Sequence, residues 1–292
     1  MNLKGKQTKT LTMKTIKKLL FGLLILSALS TTAQGNPFEV KVTGEGNPIL
    51  LFPGFACTGE VWDATVVELS KEYECHVFTF AGFGDVAAIE KPWLPKIKEG
   101  IKAYILENEL EDPILLGHSL GGALALWMAA DGNSYKELII VDALPSTGTL
   151  KMPDFKSEYM VYDSPYNKQV LAMHANDFEA MATQMASGMT KEKSNQEIIK
   201  NWMIQADRGT YVYGYTDLLK LDLREDLAKI NSPVTILAAT EPYGLEMAKS
   251  TYDLQYKALA EYTIEFANGS SHFIMYDQPQ WFIKNLKNAL KN

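Results

Sequence analysis

The chain has 292 residues, 47% hydrophobic and 22% charged, which suits one buried core and excludes a disordered or coiled-coil chain. Its formal charge of −7 excludes the electrostatic footprint of a nucleic-acid binder. No internal repeat or low-complexity tract interrupts it.

In chain order, the first predicted element is a secretory signal. Lys14, Lys17 and Lys18 precede an apolar run over residues 19–29, and small residues follow in "STTAQG". The run is shorter than the roughly 20 residues that span a bilayer. The protein is therefore expected to be exported, periplasmic or secreted, with residues 1–33 removed before Gln34 and no stable membrane span after processing. Met13 opens the basic segment and fits a true start; an uncleaved anchor is the alternative. Losing the six lysines of residues 1–33 would take the formal charge from −7 to about −13, repelling nucleic acid and anionic lipid alike.

Beyond the signal, "FEVKVTG" alternates and predicts an exposed antiparallel strand. "ILLF", "CHVFTF", "PILLG" and "ELIIVD" are continuous apolar runs, as in strands buried on both faces. Between them lie three predicted helices: "TGEVWDATVVELSKE" with Thr58 as its cap, "LPKIKEGIKAYILENE" and "SLGGALALWMAA". This alternation predicts right-handed crossovers and a mostly parallel α/β sheet with helices on both faces.

From about residue 146 to 221 no buried strand is found, and the segment holds seven methionines between Met152 and Met203. It reads as an inserted helical cap. Most of its methionines are expected in the cap core, and some as walls of an adaptable apolar pocket. The alternation then resumes with helix "REDLAKI", strand "PVTILAA", helix "GLEMAKSTYDLQYKALA", strand "YTIEFA" and helix "QPQWFIKNLKNAL". Cys57 follows one strand and Cys75 begins the next. In parallel neighbours they lie at opposite ends of the sheet, beyond the Cα separation of about 7 Å that a bridge needs. Two free thiols are expected.

"GHSLGG" joins a predicted strand to a predicted helix and has the form G-x-S-x-G. A turn that sharp needs glycines at its flanks, and it lifts the Ser119 hydroxyl above the sheet end. The Leu120 N–H at the helix start then points toward a developing oxyanion. A phosphate-binding turn is the other reading of a glycine-rich loop, but neither G-x-G-x-x-G spacing nor a Gly-Lys-Ser/Thr ending is present. On this motif in this context, the chain resembles the α/β-hydrolase superfamily from about Pro37 to its C-terminus.

The resemblance implies a base, an acid and a second oxyanion donor. Of four histidines, His118 lies in the elbow, His76 starts a strand at the far end and His174 lies in the cap. His272, in "NGSSHFIMYDQP" after the last strand, stands where such hydrolases carry their catalytic histidine. For the acid, the family's usual loop follows "PVTILAA" and offers Glu241, whereas some lipases use the end of the preceding strand, here Asp142. Both remain candidates. The second donor is expected from the loop "FPGFAC", through the N–H of Phe55 or Ala56; Pro53 stands where relatives often have histidine. "FAGFGDV" also departs from the family's charged D-x-R-G-x-G-x-S run. Phe55, Phe83 and Trp93 are candidate pocket wall, with core packing the plainer reading for Trp93.

No metal-ligand spacing and no cofactor fingerprint is found, so no metal and no cofactor is expected. The resemblance therefore implies a serine hydrolase, residues 34–292, that cleaves a small, fairly apolar ester or related acyl substrate through an acyl-enzyme. The alternative is a non-catalytic ligand-binding or receptor protein on the same fold.

Overall fold

The computed structural model describes residues 35–150 and 154–291. The expected signal segment and Met152 lie outside them. Seven strands form one sheet: β1 Phe38–Thr43, β2 Asn47–Phe52, β3 Tyr73–Phe80, β4 Ile114–His118, β5 Glu137–Val141, β6 Val234–Ala239 and β7 Thr263–Ala267. Their order is β1-β3-β2-β4-β5-β6-β7. Only β1 is antiparallel, paired with β3; every other pair is parallel.

The burial of each strand follows its residues. β4, β5 and β6 sit mid-sheet and are buried along their whole length, as continuous aliphatic runs require. β1 and β7 lie at the edges and alternate between exposed and partly covered positions.

Helices cover both faces. α1 is Asp63–Leu69, α2 Trp93–Glu107 and α3 Leu120–Ala130. After β6 come α8 Leu245–Gln255, α9 Ile274–Asp277 and α10 Pro279–Ala289. α3 is apolar all round, and ten of its eleven residues are buried, which suits a helix packed between the sheet and the turn Asp226–Lys229. Lys98 of α2 pairs with Asp131 at the end of α3 at 2.6 Å, and Lys287 of α10 pairs with Glu68 of α1 at 2.6 Å.

Two predicted helices differ in form. Thr58 caps as expected, accepting the Glu60 N–H, but the first turn, Gly59–Trp62, is a 3-10 turn before α1 begins. It is tied down by the Gly59 N–H on Thr79 Oγ1 at 2.9 Å and by the buried Trp62. "REDLAKI" contributes only a 3-10 turn, Asp226–Lys229. Its backbone bonds run mostly three residues back, Ala228 N–H to Glu225 O and Ile230 N–H to Leu227 O, as in a 3-10 turn.

Between β5 and β6 no strand occurs among the described residues. Four helices fill the interval: α4 Pro165–Ala172, α5 Ala175–Ser187, α6 Lys193–Gln205 and α7 Arg208–Lys220. α7 is fastened to α2 by Asp217, whose Oδ2 accepts the N–H groups of Trp93 and Leu94 at 2.7 and 3.0 Å. These amides open α2 and have no partner within it. Cys57 and Cys75 are both buried and free. No helix among the described residues is long and apolar enough to cross a membrane.

Candidate active site

Parallel strands deliver their C-terminal ends to one rim of the sheet, where ligands of such sheets bind. Ser119 follows β4, Asp142 follows β5, Glu241 lies just past β6 and His272 lies in the loop after β7. All four line one cavity of about 610 Å³, a size suited to a small molecule.

Ser119 adopts φ 53° and ψ −118°, a conformation that costs a non-glycine residue roughly 1–3 kcal/mol. The elbow can be that tight because its flanks lack side chains. A Cβ on Gly117 would meet Gly121 O at 2.2 Å, and one on Gly121 would meet Phe52 O at 2.3 Å. The Ser119 N–H is bound to Val141 O at 2.9 Å, which ties the elbow to β5. Leu120 opens α3, so its N–H has no intrahelical acceptor. Phe55 also borders the cavity, and its N–H makes no hydrogen bond among the described residues.

His272 Nδ1 lies 2.5 Å from Asp142 Oδ2. Asp142 Oδ1 accepts the Ala239 N–H at 2.8 Å and the Tyr252 hydroxyl at 2.9 Å. Burial works against a charge on Asp142. The His272 hydrogen bond and charge, with the Ala239 and Tyr252 donors, outweigh it and hold the carboxyl below its ordinary range. Asp142 itself sits at φ 44°.

Glu241 is not brought to His272 in this way. It is exposed, its N–H binds Ser270 O at 3.0 Å, and its carboxylate makes no hydrogen bond or ion pair among the described residues. The structure thus places Ser119, Asp142, His272, Phe55 and Glu241 on one cavity, with Leu120 next to Ser119 in the chain, and joins His272 to Asp142 rather than to Glu241.

The cap supplies the opposite wall through Met185, Met189, Met203, Tyr211, Tyr215 and Leu218. Three of the cap methionines therefore line the cavity, while Met173 and Met181 pack against the core. Phe55 is cavity wall, as expected. Phe83 and Trp93 are not: both are buried behind it, edge-to-face with each other, and the Trp93 indole donates to Ala81 O at 2.9 Å. Among the described residues no lysine or arginine lines the cavity, and no group of three or more histidine, cysteine or acidic residues could hold a metal.

Two residues of this region are absent from the sequence-based expectation. Tyr252 reaches Asp142 from α8, 110 residues along the chain, and no local pattern marks it. His118, within the elbow, carries its ring to 4.6 Å from that of His272, centroid to centroid. The other histidines are elsewhere: His76 bonds Tyr104 and Glu74 on β3, and His174 is an exposed residue before α5.

Burial foremost, and then the charge of His272, pushes the His118 pKa down to about 3, against the opposing pull of Asp142 and the His272 carbonyl. An unfolded histidine titrates near 6.5. Above that pH neither state holds the proton. As pH falls below it the unfolded chain gains a proton that the folded chain cannot, so stability falls. Asp142, also depressed, runs in the same direction at lower pH. The urea midpoint is therefore expected to drop between pH 7.5 and 5, and His118→Gln is expected to flatten that drop.

The alpha/beta hydrolase family matches residues 49–285. The pimeloyl-[acyl-carrier protein] methyl ester esterase of Vibrio cholerae serotype O1 is 26% identical over 256 residues, covering 84% of this chain and 95% of the esterase. The 3-oxoadipate enol-lactonase 1 of Acinetobacter baylyi is 24% identical over 280 residues, covering 92% and 98% respectively. Among solved structures, a hydrolase from Pseudomonas aeruginosa PA01 superposes with a TM-score of 0.73 at 18% identity, over 87% of this chain and 94% of its own. With its sheet order, its elbow serine and a family match over most of its length, the chain belongs to the alpha/beta hydrolase family.

Proposed function

We propose that the protein is a serine hydrolase of small, fairly apolar carboxylic esters or lactones, working through an acyl-enzyme. The observation that carries this reading is the 2.5 Å contact of His272 Nδ1 with a partly buried Asp142 on the same cavity as the elbow serine.

With Nδ1–H committed to Asp142, His272 keeps Nε2 as a bare base. It takes the Ser119 proton as Oγ attacks the acyl carbonyl, and the N–H groups of Phe55 and Leu120 receive the oxyanion. The imidazolium then protonates the departing alkoxide. Water, deprotonated by the same nitrogen, cleaves the acyl-enzyme to the free acid and restores Ser119. Asp142 holds the imidazole tautomer and stabilises its cation.

The relatives named for a methyl ester and an enol-lactone support this substrate class. The lining supports an uncharged acyl group, since among the described residues its only unpaired charge is the Glu241 carboxylate and its cap wall is methionine, tyrosine and leucine. A series of p-nitrophenyl esters tests the reading. Neutral medium-chain esters are expected to be cleaved, and an isosteric ester ending in a carboxylate to show kcat/KM lower by about 10-fold or more. Equal rates for the two would contradict it.

We also propose that the protein is exported, on the basic, apolar and small-residue order of residues 1–33. N-terminal sequencing of the protein from a Gram-negative host is expected to read from Gln34 in the periplasmic fraction. An intact N-terminus in the cytoplasm would refute this.

A further inference from the structure

We propose that His118 is a positioning residue that fixes the base, holding the His272 backbone through its Nε2–H while its ring seats the oxyanion loop. This inference rests on the hydrolase reading and adds to it a role for the second elbow residue.

The geometry comes from one buried ring and the groups around it. His118 ends β4, directly before Ser119, and is 1% exposed. Its Nε2 lies 3.1 Å from the backbone carbonyl oxygen of His272, 154 residues away. A carbonyl oxygen only accepts, so Nε2 carries the proton and Nδ1 is left as a lone pair. That lone pair has no hydrogen-bond partner among the described residues. It faces Gly54, where an added Cβ would lie only 2.8 Å from Nδ1. Gly54 immediately precedes Phe55, the expected oxyanion donor. The ring also packs against Phe273, with centroids 4.7 Å apart.

A space-filling role is a poor account of these facts. A leucine or methionine would fill the volume without burying an unpaired acceptor, which natural cores avoid. What an apolar residue lacks is the N–H that reaches the His272 carbonyl. The loop carrying His272 is also held by the Ser271 N–H on Asp277 at 2.8 Å and the Phe273 N–H on Met189 O at 3.0 Å. His118 is the contact that ties that loop to the nucleophile's own strand. Losing it leaves the His272 carbonyl, between two anchored neighbours, without its own tether, and a displacement of about 1 Å at a reacting group costs on the order of 100-fold in rate.

The test compares His118→Leu, His118→Gln and His118→Asn on a neutral p-nitrophenyl ester, with kcat and KM measured separately. The glutamine Nε2 lies three bonds from Cβ, as the histidine Nε2 does. The asparagine amide sits one bond shorter and cannot reach the carbonyl. His118→Leu and His118→Asn are expected to lose roughly 10- to 100-fold in kcat with KM little changed. His118→Gln is expected to recover most of that loss. Glutamine and asparagine both bury an amide, so a difference between them reads the hydrogen bond rather than general damage, even where the leucine variant does not fold. Glutamine as impaired as asparagine, or all variants as active as wild type, would overturn the proposal. A wild-type protein whose turnover does not depend on Ser119 would instead overturn the hydrolase reading.

Discussion

Asp142→Asn is expected to lower kcat by roughly 10⁴-fold, the scale seen when a triad carboxylate becomes an amide, with KM little changed. The reason is a count of donors. Asp142 faces the His272 Nδ1–H, the Ala239 N–H and the Tyr252 hydroxyl, and both of its oxygens are engaged. An asparagine has one acceptor oxygen and an NH₂ group, so at least one donor meets another donor. If the NH₂ faces His272, the imidazole must place its proton on Nε2, and the atom that should accept the Ser119 proton is then occupied. Glu241→Gln offers the control. Its carboxylate is exposed and unpaired among the described residues, so kcat on a neutral ester is expected to stay within about 3-fold of wild type. Steady-state kinetics of the two variants on one substrate decide the matter. Equal losses, or a loss only in Glu241→Gln, would contradict the role given to Asp142.

Ser119→Ala is expected to cost more, roughly 10⁶-fold in kcat, leaving only what oriented binding and the oxyanion donors supply. The substitution removes one oxygen and nothing of the fold. Alanine meets the φ of 53° with the same Cβ as serine, and the glycines that allow the turn are untouched. Thermal stability is therefore expected to match wild type within a few degrees, and the apolar cavity should still bind a non-hydrolysable ester analogue. Binding without turnover separates loss of the nucleophile from loss of the site. Turnover undiminished in Ser119→Ala would contradict the account.

The sequence made some of this legible and hid the rest for physical reasons. The elbow was readable because its constraint is local: two glycines within five residues permit one turn, and a strand and helix flank it. The continuous runs of β4, β5 and β6 announced full burial, and the strand-helix alternation announced parallel pairing. The carboxylate was not readable. Asp142 and Glu241 both follow strand ends, and β6 is β7's neighbour in the sheet, which alone would favour Glu241. What brings Asp142 to His272 is tertiary: its carboxylate leans over the end of β6, onto the Ala239 N–H, and Tyr252 comes from a helix far along the chain. His118 was hidden for a similar reason. Its partner is a backbone carbonyl, and no residue pattern marks which carbonyl a folded loop will present. The short turn in "REDLAKI" shows the limit of periodicity in a segment only about two helical turns long.

The central claim is that Ser119, activated by His272, forms a covalent adduct. Reaction with a fluorophosphonate probe, followed by peptide mass spectrometry, tests it most directly. Stoichiometric labelling of wild type on Ser119 is expected, with none in Ser119→Ala and labelling slowed by orders of magnitude in Asp142→Asn. No labelling of the folded wild type, or an adduct that persists in Ser119→Ala, would contradict it.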